Sequence, residues 1–363
     1  MNKTVMSNKQ GICLIILFMS SSSLVLSSAS EARRDIWIAM LLGLAIAVLI
    51  VSMYSRLLSR FPDKNLYEIN ISVFGRIIGS IINLIFTLYS FYLGALVLKN
   101  FSLFIGVVGL ESTPLIVVSS AVIIIIIYGV KEGIEVLGRW SAFFAKIVFP
   151  IIIIVTLLML NMVDVNNLKP ILGDGIGPVL DGTFSIITFP YAELVIFVLI
   201  FNSKMFKGGN NIYKTFIYGL LLGGFLISAI VIGAYLAIGP FAYESSYFPI
   251  YSAVSRINIR DVLQRIEIII AVTFMIGGFI KISACLLACC NGIVNILKLK
   301  DYKFIVTPVS LLLLVISLST YQSMLDMVTE LKNFRYVALI VQIILPLVIF
   351  IIIEIKSRLS KSK

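Results

Sequence analysis

Apolar runs of about twenty residues recur along this chain, and a run of that length is what a helix needs to cross the hydrocarbon core of a bilayer. Such a chain has few choices. Inside lipid every backbone N–H and C=O must be paired within the protein, so each run has to be a helix. The 363 residues are 60% hydrophobic with a mean hydropathy of +1.08, well beyond the range of soluble globular domains. The runs predict an all-α integral membrane protein: one polytopic domain over residues 1–363 with ten membrane helices. They are expected at 11–29, 36–58, 80–107, 114–130, 141–162, 182–201, 212–238, 267–297, 304–320 and 335–355. Residues 1–30 also have the outline of a secretory signal, with Lys3 and Lys9, an apolar core and then Ser28 and Ala29. A retained first helix is the preferred reading, because the run is nearly of spanning length and a second helix follows at once.

One run is interrupted. Asp181 to Phe201 reads DGTFSIITFPYAELVIFVLIF. Pro190 lacks a backbone donor and clashes with the preceding turn, so the helix should kink or open there. Glu193 follows three residues later. An acid at the centre of a membrane helix costs roughly 2.5–3.5 kcal/mol on insertion scales, so it should face protein or a water-filled cavity. A broken helix with an acid at the break is a common way to build a small-solute site at the midplane. A proline kink with a structural carboxylate is the plainer alternative.

The net charge of +11 does not point to nucleic acid. With the N-terminus placed in the cytoplasm, lysines and arginines favour the cytoplasmic loops by about two to one. Acids such as Glu111, Asp164, Asp174, Asp181, Glu244, Asp326 and Glu330 fall on the other side. The basic excess is a topology signal, and both termini are expected in the cytoplasm. No nucleic-acid partner is expected.

Catalytic and metal-binding signatures are missing. The chain has no histidine, and its four cysteines, Cys13, Cys285, Cys289 and Cys290, lie in apolar helices without metal-type spacing. No phosphate-binding loop, zinc-protease motif or serine-nucleophile elbow occurs. Neither enzyme activity nor a cofactor nor a metal is expected.

Other features point to the membrane interior. Ser20, Ser21, Ser22 and Ser23 form a run within the first helix, suited either to hydrogen-bonding a ligand or to a small-residue packing seam. Lys281 sits near the centre of the eighth helix and should be paired or functional. Lys146, nearer an edge, can snorkel. Residues 243–267, carrying Arg256 and Arg260, suit an amphipathic interfacial helix.

Landmarks in order along the chain are Gln10-Gly11, Trp37, Phe61-Pro62, Thr113-Pro114, Gly133 with Arg139, and NLKPILGDGIGP from Asn167 to Pro178. Glu193, Gly239-Pro240, Phe248-Pro249, Arg265 with Glu267, and Phe279-Ile280-Lys281 follow. Together they resemble the spore germination permease family, the B-type membrane subunit of nutrient germinant receptors, within the amino acid–polyamine–organocation superfamily. The resemblance spans nearly the whole chain. It implies a five-plus-five inverted-repeat transporter fold with helices one and six broken around a central site. It also implies a nutrient ligand, often an amino acid, an A-type membrane subunit and a C-type lipoprotein as partners, and the spore inner membrane as location. The function it implies is nutrient sensing that triggers germination, with proton- or cation-coupled amino acid transport as the alternative and a membrane scaffold as a third possibility.

Carried onto this sequence, the ligand site implied by the resemblance lies between Ser20, Ser21, Ser22 and Ser23, the break with Thr188, Phe189, Pro190, Tyr191 and Glu193, and Lys281. Half-helix N-termini would hold an anionic group there. Phe189 and Tyr191 would act as walls or a gate. Superfamily members usually have glycines where the serine run stands, a departure that adds donors and narrows the pocket. Glu193 and Lys281 are expected to face one cavity and stabilise each other.

Overall fold

A computed structural model describes residues 6–110, 112–206, 212–257 and 266–361 of the protein. Of the residues singled out above, Lys3, Glu111, Arg260 and Arg265 lie outside these. Among the described residues the chain is helical apart from turns and one isolated bridge between Met6 and Phe206.

The helices are α1 (Asn8–Ser23), α2 (Ile36–Arg60), α3 (Leu66–Val108), α4 (Leu115–Glu132), α5 (Ile134–Met159), α6 (Gly177–Ile186), α7 (Val195–Ile200), α8 (Ile212–Ile238), α9 (Pro240–Ser245), α10 (Pro249–Val254), α11 (Glu267–Leu297), α12 (Lys303–Ser319), α13 (Met324–Ala338) and α14 (Leu345–Lys361). Eight helical segments are long and apolar enough to cross a membrane, which makes this a multi-pass membrane protein. Two of them are composite: α6 with α7, and α13 with α14. With the shorter α1 and α12, of 16 and 17 residues, the described residues provide ten helical segments that match the ten expected passes. Successive passes alternate in direction, so the first starts on the face of the Met6–Phe206 bridge and the sixth on the opposite face, beside the Arg33–Asp174 pair, as an inverted repeat of five and five requires. The basal face carries the Lys204–Asp63 pair at 2.7 Å, and Arg56 and Arg60 bound to Glu354. The opposite face carries Arg33 bound to Asp174 at 3.1 Å.

Burial separates the inner helices from the lipid-facing ones. All six residues of α7 are buried, as are most of α1, whereas α2, α4, α5 and α12 bury one stripe and expose Leu, Ile and Phe on the other. In lipid an exposed apolar stripe carries no penalty. The inner helices approach closely through small residues. A β-carbon at Gly219 would lie 2.6 Å from Ile15 on α1, and one at Gly277 would lie 2.7 Å from Ser21. Cys13, Cys285, Cys289 and Cys290 are buried free thiols within this core.

Three expected boundaries shift for physical reasons. The first helix stops at Ser23 rather than continuing to 29. The third begins at Leu66, capped by Asn65 and Glu68, and turns at Gly75, whose φ of +78° suits only glycine without strain. The piece before Gly75 folds back, and Asn83 holds it by donating to the Tyr67 carbonyl (2.9 Å) and Asn295 Oδ1 (2.8 Å). The tenth pass begins at Met324, because Ser323 and Asp326 form a capping box ahead of a segment too polar to read as membrane helix. Residues 243–257 do not form one interfacial helix. α9 and α10 fold inward, and Phe248 and Tyr251 pack on Phe104 with ring centroids 5.1 and 5.6 Å away. Arg256 is exposed and Ile257 buried. Lys146 lies on the exposed face of α5.

Candidate functional site

The sixth pass opens where its sequence forbids a continuous helix. Pro178 starts α6 in its first turn, where no donor is needed. The helix ends at Ile186 and gives way to a wider turn over Ile187–Tyr191, within which Phe189 is extended (φ −148°, ψ 110°). Thr188 Oγ1 donates to the carbonyls of Phe184 and Ser185 at 2.9 and 3.1 Å, tying down the frayed end. A short turn over Ala192–Leu194 then leads into α7. The Ala192 carbonyl accepts from the Tyr54 hydroxyl at 3.2 Å, and that hydroxyl also bonds the Gln342 carbonyl. Glu193 is thereby fixed at the break.

The first pass is broken as well, but just beyond the serines. α1 stays helical through Ser23, and residues 24–29 carry the chain to a short turn over Ser30–Asp35. The Leu24 and Leu26 amides still bond the Ser20 and Ser22 carbonyls four residues back, and the chain then leaves helical geometry, with Ala29 in the left-handed region (φ 54°). The four serines divide their work. Ser21 donates to the Phe18 carbonyl and lies against Gly277, the packing-seam role. The hydroxyls of Ser20, Ser22 and Ser23 are buried and have no hydrogen-bond partner. Among buried helical hydroxyls elsewhere, those of Ser55, Ser90, Ser102, Ser141 and Thr183 donate to the carbonyl four residues back, whereas those of Ser228 and Ser283 also have no partner. Ser22 is among the residues lining a cavity.

Glu193 and Lys281 meet across the core. Lys281 Nζ lies 2.6 Å from Glu193 Oε2, and neither side chain is exposed (0% for both). The ammonium also sits over the rings of Phe18 (5.1 Å) and Phe189 (4.8 Å). Two opposite charges that would each be costly in lipid are neutralised together. The second carboxylate oxygen, Glu193 Oε1, is buried and has no partner.

That carboxylate closes the inner end of a cavity of about 660 Å3. The cavity starts at the face bearing Glu31, Arg33 and Glu244 and descends between the two breaks to Ser22, Phe189 and Glu193. Its walls include Leu93, Leu96, Val97 and Asn100 from α3 and Leu331 and Phe334 from α13. At the mouth, Arg335 on α13 pairs with Glu31 at 2.9 Å. Burial raises the Glu244 carboxyl above its usual range, and nearby Arg33 partly offsets the rise. Below the floor, α7 leaves no exposed side chain. Access is from one face.

The structure therefore brings Ser22, Phe189 and Glu193 to the cavity. Ser20, Ser21, Ser23, Thr188, Pro190, Tyr191 and Lys281 stand behind it as supports. Tyr191 points to α8, where its ring lies 3.5 Å from the position a β-carbon at Gly224 would take. α1 and α6 end near the floor, and the six-residue half-helix α7 begins there at Val195, so helix ends of both signs lie at the break. The walls contributed by α3 and α13 were not foreseen. Leu93, Leu96 and Val97 are apolar residues in an apolar helix and carry no local signal. Among the described residues, no group of three His, Cys, Asp or Glu side chains is placed to hold a metal.

A helical membrane protein with ten passes, the first and sixth broken beside a one-sided cavity, belongs to the class with the fold of secondary transporters. Solved structures agree. Mhp1, a nucleobase-cation-symport-1 family transporter, superposes with a TM-score of 0.61 at 14% identity, covering 93% of this chain and 76% of that one. A Na+-coupled sialic acid symporter gives 0.62 at 10% identity, covering 93% and 78%. At these identities the likeness concerns the fold alone. Within this class the chain belongs to the spore germination protein family, whose sequence model matches residues 5–326. Spore germination protein KB of Bacillus subtilis (strain 168) is 29% identical over 369 residues, covering all of this chain and 98% of the relative. The putative spore germination protein YfkT of the same organism is 27% identical over 331 residues, covering 90% of this chain and 89% of the relative. Spore germination protein XB of Bacillus anthracis is 24% identical over 260 residues, covering 70% of each chain.

Proposed function

We infer that this protein is the nutrient-sensing membrane subunit of a spore germinant receptor, with an amino acid as ligand. It would sit in the spore inner membrane with both termini cytoplasmic, alongside an A-type membrane subunit and a C-type lipoprotein. One observation carries the reading: a cavity open to one face ends on Glu193 between two broken helices, above a wholly buried half-helix. A nutrient seated there touches both breaks. Ligand that binds the closed arrangement better than the open one shifts the population between them, and partner subunits read that shift. The shift is limited by the difference in affinity for the two states. Membership of the family supports sensing. The fold likeness to cation-coupled symporters supports a second reading, coupled transport through the same cavity, since fold alone does not separate the two.

Reconstitution in liposomes separates them. Labelled amino acids are presented with and without a proton or sodium gradient, and both saturable binding and time-dependent uptake are recorded. The sensing reading expects saturable binding with no accumulation above equilibrium. Gradient-driven accumulation, lost in Glu193→Gln, would instead make the chain a transporter.

A further inference from the structure

A second pocket opens beside the mouth of the first. It holds about 440 Å3, within the range of small-molecule sites, and lies between the turn over Ser30–Asp35, the loop 169–175 and α9. Arg33 and Glu244 line both pockets, so the two are neighbours across these side chains. The frame of the second pocket is held in an unusual shape. Arg33 (φ 50°, ψ −125°) and Leu172 (φ 53°) have backbone conformations that residues with side chains rarely adopt, and such residues persist where their surroundings fix them. Here the Arg33 guanidinium is bound to Asp174 at 3.1 Å, and the Leu172 amide donates to both oxygens of the buried Asp35 carboxylate at 2.9 and 3.1 Å.

Those contacts use three of the five charged side chains in the wall. The other two carry opposite charges and are exposed. Arg34 donates through Nη1 to the Lys169 carbonyl at 2.6 Å, which spends one of its five donors and leaves its charge unmatched. Among the described residues, the Glu244 carboxylate has no ion pair and no hydrogen bond. Phe241, 86% exposed, lines the same pocket. A simple counter-ion would match one of the two free charges and oppose the other. A molecule with charges of both signs matches both.

We propose that this pocket is a second binding site, for a small zwitterion, with its anionic group on Arg34, its ammonium on Glu244 and its apolar part against Phe241. A guanidinium suits a planar or tetrahedral oxyanion equally, so the chemistry is shared by free amino acids and by a lipid's glycerophosphoethanolamine headgroup. The site is separate from the cavity that ends on Glu193 and does not depend on it.

The test measures equilibrium binding of labelled glycine, alanine, leucine, phenylalanine and glycerophosphoethanolamine to the full-length protein in a non-ionic detergent. Glu193→Gln/Lys281→Met removes the charged floor of the first cavity, so binding that remains reports the second pocket. At least one probe should still bind this variant. Adding Arg34→Gln should weaken that binding by about tenfold or more, the scale of one charge-assisted contact. Competitors with a single charge, such as isoamylamine and 4-methylvalerate against leucine, should be weaker than the zwitterion by a similar factor. If the double variant does not fold, Arg34→Gln alone answers the question. It should remove one of two binding components from the parent, because Arg34 lines the second pocket and not the first. Amino acid binding that Arg34→Gln leaves unchanged would overturn the second site, and if the double variant abolishes that binding the nutrient cavity stands without it. Loss of all binding in Arg34→Gln, with none lost in the double variant, would support the second site and overturn the nutrient cavity. Binding of glycerophosphoethanolamine alone, sensitive to Arg34→Gln, would support the site with a lipid as its source. An amine or acid as strong as its amino acid would overturn the zwitterion assignment, and silence from all five probes would overturn the site.

Discussion

Lys281→Met by itself should destabilise the protein by about 3–5 kcal/mol, the scale observed when one partner of a buried ion pair is removed. The Glu193 carboxylate would be left at 0% exposure with neither oxygen partnered. Glu193→Gln should cost a similar amount, because it strands the lysine against Phe18 and Phe189. Glu193→Gln combined with Lys281→Met should recover most of the loss, since two neutral side chains of similar size need no counter-charge. Thermal unfolding in detergent of the parent, both single variants and the double variant closes the cycle. A coupling well above 1 kcal/mol is expected. Strictly additive losses would mean that the two groups do not depend on each other.

Gly277→Val should be the next most damaging change. The first added carbon would lie 2.8 Å from the Ser21 Cα and 3.2 Å from the Leu17 carbonyl oxygen, atoms of the α1 backbone that no rotamer change can move aside. Overpacking of this kind costs about 1–3 kcal/mol. Its consequence is local as well as global, because pushing α1 off α11 displaces Ser22 and loosens Phe18 over Lys281. Unfolding measurements should show the loss, and ligand affinity should fall in the same variant. Gly177→Ala is the matching control, since a β-carbon there meets nothing within 4 Å. Equal effects from the two substitutions would contradict the role given to the α1–α11 seam.

The parts of this architecture that were legible in the sequence are those governed by the cost of burial. Apolar length announces the passes. Pro190 announces the second break by its missing donor, and Glu193 and Lys281 announce themselves as charges that lipid would not tolerate alone. Their mutual pairing follows from the same cost, although nothing in their spacing of 88 residues names the partner. The first break was less legible. Leu24, Val25 and Leu26 are as apolar as the helix before them, so nothing in their composition marks the point at which the helix ends. α13 was hidden for the opposite reason. MLDMVTELKNFRYVA is too polar to read as a membrane helix, yet its capping box and its place beside the mouth make it a wall of the cavity.

The central claim is that the cavity ending on Glu193 is where a nutrient acts on germination. Spores whose only copy of this protein carries Glu193→Gln/Lys281→Met test it most directly, with the protein's level in the inner membrane verified by immunoblot. Loss of optical density would be followed after a nutrient to which the parent spores respond through this protein, and after a trigger that bypasses nutrient receptors. The account predicts that the nutrient response is lost at unchanged protein level while the bypass response is retained. A normal nutrient response from the double variant would contradict it.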